Sequence, residues 1–594
     1  MIGRRARQGC RIRPVPNHPS VFRLLLILCG LLWAGGVLAD AGRVTLVVSD
    51  ELRPLLEKHL AFLDRRPEQA LDEGGRVALL RRARKEIGEM LATEGYFSPA
   101  IEGEEGEGGD FRIVVTPGRR TTIGSVDLRF VGDLIRNDGA RPTRLAALKE
   151  AWSLPVGQPF RQADWDAAKQ RLLDGLNLNE YAAAAIADSR ALIDPESGSA
   201  SLTVEVDSGP VFRFGPLEVT GLSDYDRSLI ERYGPPKPGE PYSQERLLRF
   251  QTALQNTVYF SSVVVDIDRN SLTPDAAPVR VQVTEAKPRR LGFGFGVSSN
   301  TGYRVETSYR DAHFLNNAYN LVSGIRIEQR RQLAYADVFL PPSLSGHLDS
   351  VGVLAEHTNI AGLQTQRQSV GVVRTIPHGN IENRFAINYQ HEILTPDGSL
   401  KSSRNALTAN WSWTRRSVDS ILNPHDGQVI NVQLGGAAQA LLSDRNFGRI
   451  YGRYQLFLPA IDRDVIILRA EGGVTVASSR DGVPQDFLFR TGGAQTVRGY
   501  AYQSLGVKDG SATVGGRYLA VTSAEYVHWY KGDWGIAAFV DAGNANDERK
   551  LFKMNLGYGF GPRWKSPAGP IAVDLAYGQS DHRVRLQFAV AIAF

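Results

Sequence analysis

Between Arg290 and Phe594 side-chain character alternates with a period of two, and this constrains the fold more than any other feature of the chain. Leu291, Phe293, Phe295 and Val297 are separated by Gly292, Gly294 and Gly296, and from Tyr303 the pattern continues as Tyr, Val, Thr, Tyr against Arg, Glu, Ser, Arg. Successive side chains of an extended strand point to opposite faces, so each such segment has one apolar face and one small or charged face. Sixteen segments of this kind can be marked, among them 290–297, 349–356, 366–374, 384–393, 404–415 and 583–594. An even number of antiparallel strands, apolar outside and polar inside, is the signature of a transmembrane β-barrel. In the last segment Leu586, Phe588, Val590, Ile592 and Phe594 are assigned to the lipid side, and Arg585, Gln587, Ala589, Ala591 and Ala593 to the lumen. Tyr451, Trp411, Trp413, Trp529, Trp534 and Trp564 suit interfacial aromatic girdles, with core or loop positions as the alternative.

The first 41 residues read as a secretory signal peptide. Arg4, Arg5, Arg7, Arg11, Arg13 and Arg23 precede the apolar run Leu24 to Leu38, and small residues ending at Ala39 or Ala41 follow. That run is short of the ~20 residues a spanning helix needs. It is also broken by Gly30, Gly35 and Gly36. No later apolar run is long enough either, which leaves an exported chain to be soluble or to enter a membrane as a closed barrel. Cys10 and Cys29 both lie in this segment. The remainder therefore has no cysteine, and disulfides, thiol catalysis and cysteine-based metal sites are excluded there. The formal net charge of +5 is small for 594 residues, so nucleic acid is not an expected partner.

Residues 43–288 contain a threefold repeat. Each copy runs strand, helix, amphipathic helix, aromatic-bearing turn, strand, strand, with expected boundaries 43–121, 122–211 and 212–287 before a barrel at 288–594. In the first copy Val44 to Val48 reads as a strand, Ser49 as the cap of a helix through Leu63, and Val77, Leu80, Ile87 and Leu91 as one helical face. Tyr96-Phe97 leads into the closing strands, and the acidic, glycine-rich piece Glu102 to Asp110 is expected to be a loop. The second copy carries Trp165, Ala168, Leu172 and Leu176 at core spacing, then Tyr181. The third has Ser223 as a cap, then Leu247, Phe250, Leu254 and Val258, and Tyr259-Phe260. These stripes are the packing faces of helices on small sheets. Three β-α-α-β-β modules in series resemble polypeptide-transport-associated (POTRA) domains, whose exposed strand edges can pair with an incoming strand.

After the eleventh barrel strand comes a long connection, 478–517, that carries Val497-Arg498-Gly499-Tyr500. Together with Phe539-Val-Asp-Ala-Gly543, the Ser523-Ala-Glu-Tyr526 stretch and Arg563-Trp-Lys-Ser-Pro leading to Asp574, the pattern resembles the TamA family. Those proteins are the outer-membrane subunits of translocation and assembly modules, within the BamA superfamily. A departure is Asn177-Leu-Asn-Glu-Tyr181, where the family has a Gly-Tyr-Phe turn. The resemblance implies that the loop folds into the barrel and that Arg498 pairs with Asp541 and Glu525, with Asp574 as a competing partner. It also implies a weak seam between first and last strands, formed by Gly292, Gly294 and Gly296 against Phe588, Val590, Ile592 and Phe594, where a client strand could be templated. The alternative for the three glycines is that they make room for the folded loop. Ending on an outward Phe594 resembles the terminal recognition signal of bacterial outer-membrane proteins.

The partners implied are unfolded outer-membrane or autotransporter clients, outer-membrane lipids, and a TamB-like periplasm-spanning protein met through the first module. The implied location is the bacterial outer membrane, with the modules in the periplasm. The chain has no G-x-S-x-G elbow, H-E-x-x-H, P-loop or cysteine cluster, so no enzyme, catalytic residue or cofactor is expected. His313, His347, His357, His378, His391 and His425 have no ligand spacing, and no metal is expected. Within the transport class, a two-partner secretion pore would have two modules and a plug helix, and a general BamA-type insertase more modules.

Overall fold

The computed structural model describes residues 44–60, 62–63, 72–106, 110–136, 142–270, 272–567 and 569–590. The expected signal segment and residues 591–594, with Ile592 and Phe594, lie outside these; of Val590 only the backbone is described. Three small α/β modules precede a sixteen-stranded antiparallel, nearly closed barrel.

Module 1 has β1 (Val44–Val47), α1 (Arg53–His59), α2 (Glu73–Thr93), β2 (Ala100–Glu105) and β3 (Phe111–Thr116). Strand β3 lies centrally, parallel to β1 and antiparallel to β2. Asp72 starts α2 by accepting the Gly75 N–H at 2.7 Å. The buried stripe of α2 is Leu79, Ala83, Ile87 and Leu91, with Leu80 packed partly buried against the core; of the expected face only Val77 is exposed. Ser49 contributes only its carbonyl to the chain entering α1, which is capped at Leu52 without a side-chain bond. The expected loop at Glu102 begins as strand, because β2 runs to Glu105 in register with β3.

Module 2 has β4 (Thr122–Val131), α3 (Asp133–Arg136), α4 (Pro142–Glu150), α5 (Gln162–Asn177), β5 (Ala185–Asp194) and β6 (Ser199–Asp207), in sheet order β4-β6-β5. Trp165, Ala168, Leu172, Leu176 and Tyr181 are all buried, as their spacing requires. Module 3 repeats the plan with β7 (Phe214–Thr220), α6 (Arg227–Glu231), α7 (Gln244–Gln255), β8 (Phe260–Ile267) and β9 (Ala277–Glu285). Its first helix is capped by Asp226, which accepts from Ser228 at 2.8 Å, and not by Ser223. Hydrogen bonding from the Ser228 side chain, and then from its backbone N–H, holds the Asp226 carboxyl below its ordinary range.

The barrel opens with β10 (Arg289–Ser298), β11 (Gly302–Phe314), β12 (Tyr319–Glu328), β13 (Arg331–Phe339), β14 (Leu348–Ile360) and β15 (Leu363–His378). It continues with β16 (Ile381–Pro396), β17 (Ser402–Val418), β18 (Gly427–Ala437), β19 (Phe447–Pro459) and β20 (Val465–Ala477). The loop that follows contains a small hairpin, β21 (Val507–Asp509) and β22 (Ala512–Val514). The wall is completed by β23 (Tyr518–Lys531), β24 (Trp534–Asn546), β25 (Asn555–Ser566), β26 (Gly569–Gly578) and β27 (Arg583–Val590). Outward residues of β10 are strongly exposed, Phe293 at 70% and Phe295 at 81%, as an apolar exterior demands. Trp411, Trp413, Trp534 and Trp564 face outward, and Trp534 stacks on Trp564. Tyr451 and Trp529 instead face the lumen, Tyr451 stacked on Phe489 of the loop and Trp529 beneath the Lys565 ammonium. Both rings were candidates for the girdle; alternation with their neighbours puts them inside.

Module 3 is fastened to the near end of the barrel. The Tyr259 hydroxyl donates to the Ala318 carbonyl at 2.8 Å, Tyr225 to Ala312 at 3.3 Å, and Arg232 to Pro342 at 3.2 Å.

Candidate functional site

The connection from β20 to β23 enters the lumen and is held on two walls. Val497 and Arg498 are 0% and 4% exposed although they belong to a loop. Arg498 forks onto Asp541 of β24, with Nε to Oδ2 at 2.7 Å and Nη2 to Oδ1 at 2.9 Å, and its backbone N–H reaches the same carboxylate at 3.0 Å. Its Nη1 lies 2.6 Å from Glu525 on β23 and 3.4 Å from Asp574 on β26, and its plane stacks over Phe539. All three carboxylates named from the sequence therefore gather at Arg498, with Asp541 the bidentate partner and Asp574 the loosest. Asp574 belongs chiefly to Arg563 of β25, at 2.6 Å, and Arg563 also meets Glu525 at 2.9 Å. Two guanidiniums against three carboxylates, all buried or nearly so, is a strong, geometrically exacting arrangement.

Backbone approach makes this possible. Gly499 has φ +89°, and a Cβ there would lie 2.6 Å from the Tyr577 carbonyl carbon. A Cβ on Gly557 would strike the Arg498 carbonyl. Tyr500 extends the docking, donating to the Leu556 carbonyl at 2.9 Å and accepting from Ser580 N–H at 3.0 Å. The glycines of β10 differ. The atoms nearest a Cβ at 292, 294 or 296 belong to Ser308, Glu306 and Arg304 of β11, and none to the loop. Making room for the loop is thus the task of glycines on β24 and β25, such as Gly543 against Val497 and Gly557 against Arg498, and not of Gly292, Gly294 or Gly296.

The second wall is β15 to β17. Buried Glu392 accepts the Gln485 N–H at 2.9 Å, Arg404 donates to the Val483 carbonyl, and Arg367 joins Glu356 to Asp486 of the loop. The hairpin β21–β22 rests on the far-end turns, with Ser511 N–H bonded to Asp397 and Thr513 N–H to Ala361, both at 2.9 Å. Arg563, Glu392, Arg404 and Gln587 escape a reading of the sequence, because alternation tells which residues face inward and not which of them meet. A charged residue at an inward position of a strand is the one signal they give.

The first and last strands meet differently from the rest. Fifteen neighbouring pairs form antiparallel ladders, but among the described residues β10 and β27 share none. The Ser299 hydroxyl, in the turn after β10, donates to the Phe588 carbonyl at 3.2 Å and accepts its N–H at 3.3 Å. Among the described residues no cluster of His, Cys, Asp or Glu is arranged to hold a metal ion.

Three modules in series, a sixteen-stranded barrel and a loop latched inside it define a modular outer-membrane β-barrel protein. Residues 278–594 match the Omp85 superfamily domain, and the chain belongs to that superfamily. Similar curated proteins include the outer membrane protein assembly factor BamA of Nitratidesulfovibrio vulgaris, 22% identical over 57% of this chain and 45% of that protein. BamA of Neisseria meningitidis is 20% identical over 76% of this chain and 65% of that protein. The chain thus spans about half to two thirds of these relatives' length. Among solved structures, BamA from Haemophilus ducreyi lacking POTRA domains 1–3 superposes with a TM-score of 0.65 at 17% identity, covering 79% of this chain and 98% of the other. The barrel lies in the outer membrane and the modules in the periplasm, so the near end is the periplasmic rim and the loop enters from outside.

Proposed function

We propose that this protein is the outer-membrane subunit of a TamA-type translocation and assembly module, which inserts or secretes β-barrel clients such as autotransporters. The observation that carries the reading is the seam: among the described residues, fifteen junctions are laddered and one is held across a turn, by Ser299 against the Phe588 backbone. An edge strand with unpaired backbone groups can add a client strand by main-chain hydrogen bonds and pass it sideways into lipid. The three glycines of β10 favour this, since glycine contributes no cross-strand packing. In this reading Val497, Arg498, Gly499 and Tyr500, with Asp541, Glu525 and Asp574, form the latch that fixes the loop while the seam works.

Vesicles containing the purified chain should accelerate membrane insertion of a urea-unfolded autotransporter barrel over empty vesicles; equal rates would refute the reading. Three modules favour this assignment over a two-partner secretion pore or a longer general insertase. Capture of a TamB-like periplasm-spanning protein by the full-length protein in envelope membranes would support the particular family, and its absence there would favour the general insertase.

A further inference from the structure

The latch carboxylates lie on β23, β24 and β26, and none on β27. Yet the loop does hold the last strand, through two inward side chains. Gln587 is 4% exposed, and its carboxamide accepts the Gly499 N–H at 3.0 Å while donating to the Tyr500 carbonyl at 2.8 Å. Arg585, two residues earlier on the same face, donates to the Gly499 carbonyl. Gln587 spends both halves of its amide on consecutive loop residues, which is what a paired strand would do. The next residue, Phe588, is the one that Ser299 grips from the first hairpin. The loop also reaches that hairpin, since a Cβ on Gly493 would lie 3.2 Å from the Asn300 side chain.

Among the described residues, strand β27 has a ladder with β26 alone, in the register Asp574 to Gln587. An element paired on one side is easily displaced, so its few remaining contacts decide where it sits. We propose that Gln587 is the positioning residue that couples the loop latch to the seam: with the loop docked, Gln587 holds the last strand against the first hairpin, and loss of that bond frees the strand to part from β10. The coupling deepens the seam reading and rests on it. It assigns the loop a direct mechanical hold on the moving strand, in addition to bracing the wall.

The test uses the full chain in phospholipid nanodiscs, with Cys10 and Cys29 replaced and spin labels at the outward positions Val297 and Leu586. A control label pair at Ala524 and Val540, neighbours on β23 and β24, reports the wall away from the seam. Gln587→Leu keeps the size and leaves two buried backbone groups unpaired, so the population with a widened 297–586 distance should rise on the order of tenfold. Gln587→Glu can still accept from Gly499 but cannot donate to Tyr500, and should fall between. Arg498→Ala should widen the same distance. The control pair should not move in any variant. A wild-type distribution in Gln587→Leu together with opening in Arg498→Ala would overturn the coupling and leave the seam reading standing. Widening of the control pair as well would also overturn it, by showing general loosening. No opening in either variant would overturn both.

Discussion

Arg498 brings one positive charge to three carboxylates, and removing it would strip Asp541 of its bidentate partner and leave Glu525 and Asp574 to Arg563. Breaking a buried pair by deleting one partner costs about 3–5 kcal/mol. Arg498→Ala should therefore lower the temperature at which the barrel loses its folded gel mobility, and should cut client insertion, while the barrel still assembles. Arg498→Lys keeps the charge but cannot fork onto Asp541 and also reach Glu525, so insertion should recover only partly; full recovery would show that charge alone suffices. The glycines give an opposed pair of predictions. Gly557→Ala drives a methyl into the Arg498 carbonyl and should undock the loop, read as faster protease cleavage at residues 478–517. Gly294→Ala meets only the Glu306 Cβ at 3.7 Å and should leave the loop protected. The family resemblance pointed to Arg498 and its carboxylates; from the residues alone, an arginine in a loop reads as facing water. Gln587 stayed hidden, for an inward glutamine in a strand looks like any other lumen residue.

Helices and strands were legible where burial follows period. Trp165, Ala168, Leu172 and Leu176 face the core as their spacing demands, as do Ile87 and Leu91 of α2, whereas Val77 mimics a core position and is exposed. Barrel strands were undercounted in length at β14 to β17. Strand β15 runs from Leu363 to His378, beyond the expected 366–374, and β14 continues past 356 through outward His357 to Ile360, so the ladder continues where the apolar signal stops. At the junction of module 3 with the barrel, burial, foremost, pushes the Tyr259 hydroxyl from 10.0 up to about 12, and Tyr225 is shifted the same way. A raised value in the folded state means the protonated phenol is favoured there. Its contribution is complete below pH ~10 and is lost as pH rises through about 12. Labels at Leu248 and Leu344 should keep a narrow distance distribution to pH ~10 and broaden above it. Tyr259→Phe, which forfeits about 1 kcal/mol of hydrogen bonding, should broaden it already at neutral pH; identical distributions would show that the phenols do not secure the joint.

At the scale of the whole molecule, the even strand count, the repeat and the loop after the eleventh strand were all in the sequence, since each is a pattern of period or position. The near-closure was not, because whether two chain-distant edges pair depends on register and curvature that no local pattern encodes. The central claim is that the junction of β10 and β27 must part for a client to enter. The most direct measurement replaces Ser299 and Phe588 by cysteine, positions in contact across the seam, and follows insertion of an unfolded autotransporter barrel into vesicles carrying the oxidised or the reduced protein. The account predicts that oxidation abolishes the acceleration and that reduction restores it. Undiminished insertion through a quantitatively cross-linked seam would contradict it.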